Sequence, residues 1–324
     1  MPNPWAYCRF GGDIVGAFMP LDGDFTHFEN FSHIRDPIIP RVDFRIRVYS
    51  SSKHMQAAGR SRHRGNYKGI PWAVGILPIT EACEYDIEFY APAFVPFMLS
   101  RFVLIPLLKK ILLRKQGFVF LGAAFQIQQR RLVLAGDPGT GKTRLLLRAL
   151  ERGASLIGDS EIIHLEGERI EPMFPALELR YKTVAGTSFW KKLSLGKRQK
   201  LRLFHWLSKM TLRRISLNIA VKPRELGLQP PPSTSAGETC LLYLNRSQER
   251  TGIPDNAAIL KAWRSYESRY RRIYRDIFFT HQDAEAAEVY AGTFLKRCRI
   301  LTAGRHASLK DLWEAAERST GPGL

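Results

Sequence analysis

Residues 136–143 of the chain, Gly-Asp-Pro-Gly-Thr-Gly-Lys-Thr, fit the pattern G-x-x-x-x-G-K-[ST]. Each residue type in it serves the handling of phosphate. Glycines at 136, 139 and 141 let the backbone come close to an anion, and successive N–H groups at a helix N-terminus form a nest for it. Lys142 reaches outer phosphate oxygens and the Thr143 hydroxyl suits a Mg²⁺ ion. Gly136, Asp137, Gly139, Thr140, Gly141, Lys142 and Thr143 are therefore the expected nucleotide contacts. Seventeen residues after Lys142 stands Asp159, followed by Ser160.

Such a loop works only between a strand and a helix, and the flanking sequence supplies both. Leu132–Ala135 is an apolar strand. TRLLLRALER, residues 143–152, is rich in helix formers and meets Gly153, a natural stop. Upstream, FVFLGAAFQIQQRRLVLAG predicts two strands around a QIQQRR turn. Ser100–Lys115 predicts a helix, kinked or begun near Pro106. Before it, DFRIRVYSS and CEYDIEFYA alternate as half-buried strands do, the latter with Tyr85, Ile87 and Phe89 on one face. KHMQAAGRSRHRGNYKG between them reads as a solvated basic loop, or else as an anion contact. Downstream, LQPPPSTSAGETC is a loop, CLLYLN a compact strand, and Ala257–Ile277, Ala284–Cys298 and Leu309–Arg318 are helices.

From Gly136 to Asp159 the sequence resembles the HPr kinase/phosphorylase and phosphoenolpyruvate-carboxykinase-like group of P-loop enzymes. There, a short helix after the loop ends in glycine, and the next strand ends in an acidic pair. Arg152-Gly153, SLIG and Asp159 stand in that order here, so the resemblance implies that Asp159 binds the metal with Thr143 or takes up the acceptor proton, and that Asp159 and Lys142 are the candidate catalytic pair. A weaker likeness, to HPr-kinase-related proteins of peptide-modification gene clusters, runs over roughly residues 95–250 and includes Glu171-Pro172, AVKPRELG and CLLYLNRS. The chain departs from the group in two places. Its second acid is Ser160, and Leu121-Gly122 occupy the region of a histidine expected about fifteen residues before the loop. Glu161 is a nearby acid that could compensate, although a carboxylate at a strand end is ordinarily just exposed.

The resemblance implies an α/β fold, with a P-loop nucleotide-binding core of the HPr-kinase/phosphoenolpyruvate-carboxykinase-like type over residues 96–324. A small β-rich module over residues 1–95 precedes it. It also implies an ATP- (or other NTP-) and Mg²⁺-dependent kinase that moves a γ-phosphoryl group to a hydroxyl, a serine or threonine of a peptide or protein acceptor. Two other readings stay open: a nucleotide-binding regulatory or assembly protein with little transfer activity, and a basic nucleic-acid-associated NTPase.

Charge keeps those alternatives alive. The 324 residues hold 49 Lys+Arg against 30 Asp+Glu, a net +19, which favours anionic partners, an acidic acceptor among them. Thirteen Lys and Arg lie between Leu179 and Arg224 without one Asp or Glu. Leu201, Phe204, Leu207 and Met210 at helical spacing predict a core-facing stripe there, with the cations solvated or docking an acceptor. Interleaved Trp190, Phe204 and Trp206 also fit nucleic-acid stacking. Arg213, Arg214, Lys222 and Arg224 are the candidate substrate or γ-phosphate clamps, with Arg246 a weaker one. Trp263, Tyr266, Tyr270 and Tyr274 read as a core stripe of the long helix.

Four widely spaced cysteines and an N-terminus without a secretion-signal pattern lead to the expectation of a cytoplasmic protein with reduced thiols. The apolar run Phe89–Leu108 carries three prolines and Arg101, which argues for a buried or interfacial helix and against a membrane span. A homo-oligomer stays open.

Overall fold

The computed structural model describes residues 5–20, 32–33, 42–49, 62–67, 69–77, 83–127, 130–136, 139–165, 169–174, 176–211, 218–228, 239–244, 256–274 and 277–303. The chain is mixed α/β with several sheets, and it divides into two compact units. One comprises Met1–Phe118 with Glu267–Ala287, the other Val119–Tyr266 with Glu288–Leu324. The sequence places the border at residues 95 and 96. In the structure the helix that follows residue 95 belongs to the first unit.

The first unit is built on a seven-stranded sheet. Its strands are β1 (Ala6–Phe10), β2 (Ile14–Pro20), β3 (Ser32–His33), β4 (Val42–Tyr49), β5 (Arg62–Tyr67), β6 (Ile70–Leu77) and β7 (Cys83–Tyr90), in the order β3-β1-β2-β4-β7-β6-β5. Strand β4 shows the predicted alternation of buried and half-buried residues. Strand β7 does not stop at one buried face, because Asp86 and Glu88 are as buried as Ile87 and Phe89. Both acids find partners on β4: Arg47 grips Asp86 at 2.6 and 3.2 Å, and the Tyr49 hydroxyl donates to Glu88 at 2.8 Å.

The basic stretch expected as a loop is in part strand, since residues 62–67 pair with β6 in register from Arg62↔Gly75 to Tyr67↔Ile70. Its remainder, residues 53–61, lies outside the described residues.

Helices α1 (Val95–Leu99) and α2 (Ile105–Arg114) are joined by a π-helical turn at Ser100–Leu104. That wide turn ends just before Pro106, whose missing N–H and bulky ring a regular helix could not absorb without kinking. The helix thus begins five residues earlier than Ser100 and continues through the proline. Phe102, Val103, Leu104, Leu107 and Leu108 are buried, so the apolar run serves the core. Among the described residues no helix is long and apolar enough to cross a membrane.

In the second unit, β8 (Phe118–Ile127) and β9 (Arg130–Gly136) form the predicted hairpin, paired antiparallel from Gly122↔Ala135 to Ile127↔Arg130. Helix α3 (Lys142–Glu151) follows, then β10 (Ser155–Leu165), β11 (Arg169–Pro172), β12 (Leu177–Leu179), α4 (Tyr181–Val184), α5 (Phe189–Lys192), α6 (Leu195–Met210), β13 (Ile219–Val221), a 3₁₀ turn at Pro223–Leu226, β14 (Thr239–Leu244), α7 (Asn256–Tyr274), α8 (His281–Arg297) and β15 (Arg299–Ala303). The main sheet runs β11-β10-β8-β9-β14-β15, and β12 pairs separately with β13.

Strand β14 lies parallel to both β9 and β15 and is buried along its whole length. A strand covered on two faces reads as an unbroken apolar run, which is what CLLYL is.

On α7, Trp263 and Tyr266 face the core as expected, and the Trp263 indole donates to the Val119 carbonyl at 3.1 Å. The side chains of Tyr270 and Tyr274, the loop 229–238, Arg246 and the expected helix 309–318 lie outside the described residues. The four cysteines carry no disulfide.

Candidate functional site

Strand β9 delivers the chain to Gly136 and α3 carries it away from Gly141, so the glycine-rich loop sits between a strand and a helix N-terminus. Gly136 is imposed first by packing. Its φ is +139°, and a Cβ there would lie 2.4 Å from the Leu244 carbonyl oxygen of β14. Gly139 and Gly141 also have positive φ, and at Gly141 a Cβ would meet nothing within 4 Å. That open side is where a ligand can approach the backbone. Asp137 lies outside the described residues.

At the far end, α3 closes with the Gly153 N–H on the Leu150 carbonyl and the Ala154 N–H on the Ala149 carbonyl, both at 3.1 Å. This paired closure lets the chain reverse at once into β10.

Strand β10 passes through Asp159 and runs on to Leu165, which corrects the expectation that the strand ends at the acid. Glu161 is consequently 9% exposed rather than a solvated strand-end carboxylate. Gly158 lets β11 approach, since a Cβ there would lie 2.8 Å from Pro172 Cβ. Ser160 adopts φ +72°, the left-handed region that costs a non-glycine residue about 1–2 kcal/mol. The backbone beside Asp159 is therefore held in a strained conformation.

The sequence-predicted groups converge. The Thr143 hydroxyl donates to Asp159 Oδ1 at 3.0 Å, bridging the first turn of α3 and the middle of β10. Lys142 is 9% exposed and folds back to donate to the Gly136 carbonyl at 2.6 Å. Asp159 is 3% exposed and its Oδ2 has no hydrogen-bond partner.

Burial, assisted by the negative charge of Glu178, pushes the Asp159 carboxyl up to about 7. The Thr143 hydroxyl and the main-chain N–H groups of Glu178 and Ser160 pull the other way without prevailing.

Glu178 is the residue that sequence reasoning missed. It sits on β12 opposite Ala220 of β13, and Asn218 Nδ2 donates to its Oε2 at 2.5 Å. Its main chain touches Asp159 and its charge is felt there. The only local signal was that Glu178 is the acid immediately preceding the long acid-free tract.

Of the candidate clamps, Arg213 and Arg214 lie outside the described residues. Lys222 and Arg224 flank the start of the 3₁₀ turn, where the Lys222 N–H donates to Glu225 at 3.1 Å and Lys197 also pairs with Glu225. No described contact brings either cation to Asp159. Lys222 does leave β13 two residues after Ala220, the register partner of Glu178.

Leu121, where the resemblance expects a histidine nearby, lines a cavity of about 30 Å³ with Gly136, Tyr243, Trp263 and Tyr266. That is room for roughly one water, against an apolar and aromatic wall.

Among the described residues no cluster of three or more His, Cys, Asp or Glu forms a metal cage. Thr143 and Asp159 are the hydrogen-bonded oxygen pair that could take a Mg²⁺ ion, whereas the Glu178 side chain is exposed and accepts from Asn218. No protein-family model and no curated protein sequence matches the chain.

Proposed function

We propose that this chain is a phosphotransferase with a P-loop core of the HPr-kinase-like kind. It binds a nucleoside triphosphate on Gly136–Thr143 and moves the γ-phosphoryl to a hydroxyl, a serine or threonine of a peptide or protein. The carrying observation is the hydrogen bond from the Thr143 hydroxyl to a buried Asp159 whose carboxyl is raised to about 7, with the charge of Glu178 felt there. A purely structural aspartate would have no use for an acidic neighbour. A Mg²⁺ site uses one or two such carboxylates, and the bound cation offsets their charge toward the phosphates.

In this reading Gly139 and Gly141 let the phosphates reach the loop N–H groups. Lys142 exchanges the Gly136 carbonyl for the outer phosphate oxygens. Thr143 and Asp159 would hold Mg²⁺, whose role when bound is to neutralise charge on the β- and γ-phosphates. The acceptor oxygen attacks the γ-phosphorus, the bond to the β–γ bridging oxygen breaks, and the nucleoside diphosphate leaves. The acceptor proton passes to Asp159, whose unpartnered Oδ2 is available to it. Because the transition state is loose, a carboxylate suffices as the proton acceptor and positioning carries most of the rate.

The test is transfer of label from γ-labelled ATP to candidate peptides, alongside direct measurement of nucleotide binding. The reading requires Lys142→Ala to remove binding and Asp159→Asn to remove transfer while binding persists. Tight binding with no labelled acceptor under any condition would move the chain to the regulatory class.

A further inference from the structure

Helix α6 is amphipathic in an unusual sense: its outward side is apolar. The expected core stripe of Leu201, Phe204, Leu207 and Met210 splits apart. Only Leu201 is fully buried, and Met210 is 66% exposed. Instead Leu195, Leu203, Trp206 and Met210 are each more than half exposed. At 100° per residue these four fall within an arc of about 80°, whereas Leu201 lies on the opposite side, where α6 meets the core through Phe204 and the Tyr181–His205 stack. Exposed cations flank the arc, with Arg202 and Lys209 along one edge and Lys200 along the other. The helix contains no acid, and its sixteen residues make a straight ridge about 24 Å long.

Burying such a ridge is favourable, and its charge limits what can cover it. A second copy would bring the same cationic edges together, and the region from Leu179 to Arg224 has no acid to answer them. The cover must therefore be anionic at its rim and apolar beneath. A convex, straight ridge has no groove to grip a peptide, but it matches a plane that is charged at the surface and greasy a few ångströms below. Leucine, methionine and tryptophan inserted between snorkelling lysines and arginines are the composition of an interfacial helix.

We infer that α6 is a docking surface for an anionic phospholipid bilayer, with Leu195, Leu203, Trp206 and Met210 entering the interface and Lys200, Arg202 and Lys209 contacting headgroup phosphates. This holds whether or not the chain transfers phosphate, since it uses no residue of the candidate site.

The test is co-sedimentation of the full chain with phosphatidylcholine vesicles, with and without phosphatidylglycerol. Pelleting is expected only with phosphatidylglycerol, and it weakens as salt rises. The pair Leu203→Glu and Trp206→Glu should lower partitioning at least tenfold. Lys200→Gln, Arg202→Gln and Lys209→Gln together should lower it roughly a hundredfold. All five side chains are exposed, and unchanged circular dichroism and thermal melting verify that the variants remain folded. Absence of pelleting at low salt, or pelleting indifferent to both variant sets, overturns the inference. So does retention on immobilised poly-glutamate that depends on the ridge while vesicles are ignored, a result that assigns the face to an acidic protein.

Discussion

Asp86 of β7 and Asp159 of β10 are both buried in the middle of strands, yet they are treated in opposite ways. Asp86 receives the two-pronged grip of Arg47. Two further buried acids of its unit also meet lysines, Glu267 with Lys109 at 2.5 Å and Asp283 with Lys110 at 2.6 Å, whereas Glu88 accepts the Tyr49 hydroxyl and, like Glu267, keeps one carboxylate oxygen without a hydrogen-bond partner. Asp159 receives one hydroxyl and main-chain N–H groups, keeps Oδ2 unpartnered, and has another acid for a neighbour. Each pairing in the first unit pays for its own desolvation; the second unit leaves that cost standing where a cation can later relieve it. An orphaned carboxylate oxygen alone is no functional mark, since Glu88 and Glu267 have one too; what sets Asp159 apart is the acid beside it and a carboxyl raised to about 7.

Exchanging the two residues' roles is the severest way to break this contrast. Asp159→Asn should lower phosphoryl transfer by about 10²- to 10⁴-fold, while thermal stability stays level or rises because an unmatched carboxylate has gone. Asp86→Asn should do the reverse. Transfer persists, and stability falls by about 2–3 kcal/mol, the lower end for a broken buried pair because Arg47 keeps 24% of its side chain exposed. Labelled transfer and denaturant melts on both proteins decide it. If Asp159→Asn were the destabilised variant with transfer intact, the comparison would be reversed.

Glu178→Gln sharpens the same point from the other side. It should raise the Mg²⁺ concentration needed for half-maximal transfer by about 10- to 100-fold and leave metal-free nucleotide binding unchanged. A titration of Mg²⁺ at saturating nucleotide reads this directly. An effect on binding without metal would instead make Glu178 a determinant of loop structure.

The contrast between these acids explains what the sequence could and could not disclose. The loop, its strand, its helix and the Gly153 stop are consecutive, so their chemistry is written within about twenty residues, and the β8–β9 hairpin and β14 follow from equally local patterns. Glu178 reaches Asp159 because β12, a strand of a separate small sheet, packs against β10 and brings its main chain to the carboxyl. No local spacing encodes that. Helix α6 failed differently: it carries two apolar stripes, and periodicity identifies both without saying which one the domain covers.

His164, farther along β10, offers a buried ionisable group beside cations rather than acids. Burial, with Arg131 and Arg297 nearby, lowers its pKa to about 4. The folded state therefore binds this proton less readily than the unfolded chain, whose histidine titrates near the usual 6.5. Its stability contribution is complete above that value and is lost as pH falls from about 6.5 towards 4, at most on the order of 2–3 kcal/mol. His164→Phe, placed beside the Phe294 ring 4.2 Å away, should flatten that acid limb of the melting profile. An unchanged slope would show that other groups carry the acid sensitivity.

The smallest effect lies beside the site itself. Ser160 is the one strained non-glycine residue of β10, and it directly follows the under-compensated acid. Removing its Cβ should relieve the left-handed backbone while adding freedom to the unfolded chain, so Ser160→Gly should stabilise by a few tenths to about 1 kcal/mol. Asp86 in β7 has no such strained neighbour, which makes strain and missing compensation coincide at Asp159 alone among these strand acids. If strain helps aim the carboxylate at Thr143, the stabilised Ser160→Gly protein will transfer phosphate more slowly at unchanged nucleotide affinity. Equal transfer would mean that the hydrogen bond to Thr143 suffices to aim the carboxylate and that the strain only lets β10 pass the acid and continue to Leu165.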